Sequence, residues 1–124
     1  MIDIRHQNRI NIIKTLFSLS FQNDNSLITE ENVVLNKILK KNKEIEEIIS
    51  KYAPRYPIEK ISKIDLAILK LSIYELILDR QNPPKVIIDE AVELAKEYGN
   101  SRSYSFINGV LGTALKDLEK NNDK

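Results

Sequence analysis

Few residues of this 124-residue chain have the types and spacing to do chemistry. Arg5 and Arg9 stand four apart, which puts both guanidinium groups on one face of a helix, and His6 and Asn8 flank them. Cations at the amino end of a helix sit against its dipole. Two readings stay open on these residues alone: a solvated helix start whose charges serve solubility, and an arm that contacts RNA phosphates. Asp65 closes the pattern Ser62-x-x-Asp65, a capping box for the apolar run behind it, or is itself the N-cap. Asn108 is polar inside an apolar helical stripe and is expected as a buried amide satisfied by a neighbouring backbone. Tyr74, Tyr98, Tyr104 and Phe106 are expected as core or boundary aromatics.

The chemistry that is missing narrows the function. One histidine and no cysteine do not make a zinc site, and no metal or cofactor is expected. Neither G-x-x-x-x-G-K-[ST] nor G-x-G-x-x-G occurs to cradle a phosphate. Glu75, Asp89, Glu90 and Glu93 are expected as surface charges or caps on helices rather than an acid and base pair. The expectation is a protein that is not an enzyme. Its net charge of +1 confines any nucleic-acid site to a local patch. Hydrophobic residues at 42% and charged residues at 30% are those of a globular domain. The polar stretch from Asp3 to Arg9 shows no signal peptide, and the lack of cysteine allows a reducing cytoplasm, the expected location.

The elements that must position these residues read as helices. Ile10, Ile13, Leu16, Phe17 and Phe21, flanked by Ile12 and Leu19, give a first helix over Ile4 to Phe21 with Asp3 as cap. A second is expected from Thr29, with Glu30 and Glu31 in its first turn and Val34, Leu35, Ile38 and Leu39 buried. Asn42 is a candidate cap for a third, whose stripe is Ile45, Ile48, Ile49 and Tyr52, ended by Pro54 and Pro57. The run from Ser62 to Leu78 is apolar on nearly every side, the mark of a helix packed against several neighbours. Asp65, Lys70 and Glu75 interrupt it and argue against a membrane span. Pro84 suits the first turn of a helix that runs to Tyr98, with Gly99 expected at positive φ after it. After the loop Asn100-Ser101-Arg102-Ser103, Ile107, Val110, Leu111, Ala114, Leu115 and Leu118 repeat at three and four. Gly109 and Gly112 are expected to allow close approach of a neighbouring helix, and the tail beyond Leu118 is expected to fray. The fold class is all-α without sheet, one domain over 1–124, as a bundle of two packed helical groups at about 1–58 and 59–119.

Residues 61–112 resemble a known family. Ile64-Asp65-x-x-Ile68-Leu69-Lys70, Tyr74-Glu75-Leu76, Pro83-Pro84-Lys85-Val86, the run Asp89 to Gly99, and Phe106-Ile107-Asn108-Gly109-Val110-Leu111 are similar, in order, to the second half of NusB, the bacterial transcription antitermination factor. The resemblance implies an RNA-binding adaptor that holds boxA-type single-stranded RNA and the small-subunit ribosomal protein NusE on RNA polymerase. It implies RNA contact by Arg5, His6 and Arg9 from the arm, with Arg102 and Phe106 bordering that face, and a ring at Phe106 can stack on a base. It implies contact with NusE through Asp65, at the exposed start of the central helix, and Phe17. The family includes monomers and dimers, so a homodimer stays open. The alternatives are a helical protein-interaction module without RNA binding, or a free-standing domain like the amino-terminal part of RNA cytosine methyltransferases.

Overall fold

Ser62 sets the start of the helix on which the others pack: its Oγ accepts the Asp65 N–H at 3.3 Å. A computed structural model of the protein describes residues 4–21 and 32–122. Within them lie six α-helices, α1 (Ile4–Leu19), α2 (Val33–Lys40), α3 (Asn42–Tyr52), α4 (Lys63–Ile73), α5 (Pro84–Tyr98) and α6 (Ser103–Asn122), and no strand. The expected all-α class is the one the chain adopts. Helix α4 touches α1, α3, α5 and α6, and Ile68, Leu69 and Ile73 are fully buried in it. That is why its sequence is apolar on nearly all sides. Its polar Ser72 turns inward and bonds the Ile68 carbonyl at 2.7 Å. Lys70, at the edge of the core, reaches Glu46 of α3 at 3.3 Å.

After Ile73 the backbone widens into a π-helical stretch, Tyr74–Asp79, which ends when Arg80 turns left-handed at φ 56°. The Arg80 N–H bonds back to the Glu75 carbonyl at 3.0 Å. The positive φ expected at Gly99 is therefore found at Arg80, while Gly99 sits at φ −91°. Gly99 is needed for a different reason. A Cβ there would run into the Ser103 hydroxyl and the Ala95 carbonyl. That buried hydroxyl accepts the Asn100 N–H at 3.0 Å, and the Asn100 side chain accepts the Arg102 N–H at 2.8 Å. These bonds shape the turn that presents Arg102.

Several expectations are revised. Helix α1 stops at Leu19, and Phe21 lies outside it with 60% of its surface exposed. Asn32 caps α2, its Oδ1 accepting the Leu35 N–H at 3.0 Å; the cap proposed at Asp3 and the helix start at Thr29, Glu30 and Glu31 fall outside the described residues. Asn42 is the first residue of α3 rather than its cap, and Lys41 takes the cap position without a side-chain bond. Helix α6 continues past Leu118 to Asn122. Asn108 is exposed, on the solvent side of α6, because the core-facing positions are taken by Ile107, Val110 and Leu111. Tyr104 is exposed too, with Lys96 Nζ 5.7 Å from its ring centre, whereas Tyr74 is buried.

The two α6 glycines do not serve close packing. Nothing lies within 4 Å of a Cβ built at Gly109 or Gly112. Gly112→Ala is therefore expected to stabilise the protein by about 1 kcal/mol, the helix-propensity difference. A urea midpoint unchanged or lowered in the variant would show that the position needs glycine. Among the described residues, no helix is long and apolar enough to cross a membrane.

Candidate nucleic-acid interface

The amino-terminal cations and the residues of the last helix form two separate places on the surface. Helix α1 packs along α4, and its first two turns lie against α5 and the π-helical stretch. Arg9 faces inward with 6% of its surface exposed. Its Nε donates to both oxygens of Glu75 at 3.2 Å, and Nη1 lies 3.5 Å from Glu90. His6 meets Glu90 through Nδ1 at 2.9 Å and lies 3.9 Å from Glu97. Arg5 is exposed. A cleft of about 510 Å³ beside His6 is lined by Asp89, Glu90, Glu93 and Glu97.

Of the phosphate-contacting face expected of Arg5, His6 and Arg9, Arg9 is turned inward, His6 is part-buried and Arg5 is exposed. The carboxylates of the second half of the chain already engage Arg9 and His6. The same geometry corrects the expectation for Glu75 and Glu90 as surface charges: both are partly buried and ion-paired. Burial pushes the Glu75 carboxyl above its ordinary pKa. The Arg9 charge and hydrogen bond pull it back down, and the Asp79 and Glu90 carboxylates add to the rise. An acid inside the apolar run Leu71 to Leu78 was the available signal that a cation from elsewhere must meet it.

The second place is built where the start of α4, the segment before it and the start of α6 converge. A cleft of about 330 Å³ is lined by Tyr56, Lys60, Asp65, Asn100, Arg102 and Phe106. Three residues singled out in the sequence thus meet in one cleft: Asp65, Arg102 and Phe106. Asp65 is not exposed as expected. It retains 7% of its surface, because the first turn of α4 is tucked beneath the segment from Tyr56 to Ile61 and the loop at Asn100. Its Oδ1 is buried with no hydrogen-bond partner among the described residues. Such an oxygen is costly unless a donor reaches it. His6 lines neither this cleft nor the one next to it.

Phe17 is half-buried. Its ring meets the exposed ring of Phe21 edge-on at 4.9 Å between centres. Lys63, two residues before Asp65, places Nζ 4.8 Å from the Phe21 ring centre and donates to the Ser20 carbonyl at 2.9 Å. Phe17 thereby connects to the amino end of α4. Sequence reasoning missed Tyr56, Lys60 and Asn100. Among the described residues, no group of three histidine, aspartate or glutamate side chains is placed to hold a metal ion.

The NusB family model matches residues 6–116. The chain belongs to the NusB family. The transcription antitermination protein NusB of Dehalococcoides mccartyi (strain CBDB1) is 38% identical over 121 residues, covering 94% of this chain and 80% of that protein. The NusB of Oleidesulfovibrio alaskensis is 46% identical over 77 residues, which span 62% of this chain and half the length of that relative. Among solved structures, T. maritima NusB superposes with a TM-score of 0.82 at 30% identity, covering 94% of this chain and 93% of that one. A structure of the antitermination factors NusB and NusE in complex with double-stranded RNA shares the fold. Its TM-score is 0.77 at 21% identity, with 93% of this chain and 99% of that one covered.

Proposed function

We propose that this NusB-family chain is a cytoplasmic transcription antitermination factor that makes and breaks no bond. It binds single-stranded boxA-type RNA together with NusE and couples both to RNA polymerase. The observation that carries this reading is the cleft in which Arg102, Phe106 and the buried Asp65 carboxylate lie together. Arg102 supplies a phosphate contact and Phe106 a stacking face. The Asp65 carboxylate, at the floor of the cleft, draws a cationic donor of NusE toward it, and Phe17 adds an apolar contact near the amino end of α4. Arg5 adds an exposed cation. Arg9 acts through Glu75 and Glu90 to hold the arm in place, and His6 stands at the border of the acidic cleft.

The test is titration with boxA-type RNA, with and without NusE. Asp65→Lys is expected to weaken NusE binding at least tenfold, since a lysine replaces a buried acceptor beside Lys60 and Arg102. RNA binding in the absence of NusE should survive that change. Unaltered NusE affinity in a folded variant removes Asp65 from the contact. Arg102→Asp is expected to weaken RNA binding and to flatten its salt dependence by about 0.7 in log–log slope, the loss of one phosphate contact on a single strand. An unchanged slope removes Arg102.

A further inference from the structure

The segment Ala53 to Lys60 matched no motif in the sequence, yet it forms one wall of the surface around Phe106. Ala53 and Tyr56 close a turn, with the Tyr56 N–H bonded to the Ala53 carbonyl at 3.0 Å. Pro54 occupies the turn position whose φ proline presets, and Pro57 restricts Tyr56 to extended backbone. The ring is therefore held out by a braced turn, with half of its surface exposed. It meets Phe106 edge-to-face at 4.9 Å between centres and 67° between planes. These two rings line both the cleft that contains Asp65 and a second cleft of about 440 Å³ between Tyr52, Arg55, Gly109 and Thr113. They form a ridge between two open depressions. Exposed Arg55 borders one depression, and exposed Lys60 and Arg102 border the other.

We propose that this ridge is a stacking platform for unpaired RNA bases, with Tyr56 as a base-stacking residue and Arg55 and Lys60 as phosphate contacts on its two sides. The inference rests on the RNA-binding reading above and adds to it a wall of the site from outside the resembling stretch. Single-stranded nucleic acid is held by such a combination: a π-face that accepts any base, with cations spaced along the backbone on either side. The cations favour a polyanion over an apolar peptide in these depressions. The ridge is also continuous with Arg102. Its rigidity matters because a ring already fixed in place loses little freedom on binding. It further accounts for the open floor at Gly109, where nothing lies within 4 Å of a built Cβ.

The experiment uses the full chain and a fluorescent unpaired boxA-type RNA, with its double-stranded form as comparison. Tyr56→Ala is expected to weaken binding of the unpaired RNA about five- to hundredfold, as loss of one base stack does, with the salt slope unchanged. Tyr56→Phe should bind as wild type. Lys60→Ala and Arg55→Ala should each flatten the slope by about 0.7. Gly109→Leu, which fills the depression while favouring the helix, should weaken RNA binding without lowering the melting temperature. If Tyr56→Ala and Gly109→Leu bind like wild type while Arg102→Asp is impaired, the ridge is not the platform and the broader reading stands. If Tyr56→Ala impairs NusE binding alone, the ridge is a protein contact and the inference is overturned. If the wild-type chain binds no such RNA with or without NusE, the RNA-binding reading itself fails and the inference with it.

Discussion

Arg9→Ala is expected to destabilise the protein by about 3–5 kcal/mol at neutral pH, the cost of stranding a buried carboxylate without its cation. Arg9 is 94% removed from solvent and its Nε is shared by both Glu75 oxygens at 3.2 Å. The carboxyl it neutralises carries a raised pKa, from burial first and from Asp79 and Glu90 second. The sign of the pH dependence follows. A carboxyl whose folded pKa exceeds the unfolded value, here 4.5, binds its proton more tightly when folded. Its contribution to stability is present in full below that value and is lost as pH rises through the folded pKa. Removing Arg9 deletes both influences that lower the Glu75 pKa, so the folded value climbs and the loss as pH rises above the unfolded value grows. The deficit of Arg9→Ala against wild type should therefore be smaller at pH 5 than at pH 7. Adding Glu75→Gln should recover part of it, because the Glu75 charge is then no longer stranded, while Glu90 keeps His6 as a partner. Urea unfolding at several pH values measures this. A deficit below about 1 kcal/mol, equal at both ends, would show that the pair is no more than a surface ion pair.

The same pair explains where sequence reading succeeded and where it stopped. Leu69 and Ile73 were legible because a helix apolar on nearly every side has only one stable location, and the burial agrees. The Pro84 start of α5 was legible because proline acts through its own ring, with no help from distant residues. Arg9 and Glu75 were not, since 66 residues separate them and nothing local says which charge will find which. Asp65 was legible in its backbone role, beside the Ser62 cap, but its burial depends on residues 56–61 and the Asn100 loop folding over it. Phe106 was singled out in the sequence, while Tyr56 was not, because the place of Tyr56 beside that ring comes from a turn whose effect appears only once α6 lies opposite. Gly109 and Gly112 misled, since a missing Cβ signals tight packing or open space with the same letter. The left-handed residue was likewise placed at a glycine, whereas it lies at Arg80, at the end of the π-helical stretch.

Leu69→Ala is expected to cost about 2–5 kcal/mol, a large share of the 5–15 kcal/mol that holds a domain of this size folded. Leu69 has no exposed surface, and it sits in the one helix that touches α1, α3, α5 and α6. A cavity there is bordered by several helices at once, so no single neighbour can shift to fill it without losing contacts elsewhere. The upper part of the range is therefore expected. The contrast is Leu78, half-buried at the end of the π-helical stretch, where truncation leaves space that solvent can enter. Leu69→Ala should also weaken RNA and NusE binding together, because α1, α3, α5 and α6 all pack on α4. Thermal melting with binding at a temperature where the variant is still folded separates the two effects. A melting temperature within a degree or two of wild type would mean that the other helices hold their places without α4. The cleft at Asp65, Arg102 and Phe106 would then owe its geometry to something other than this core.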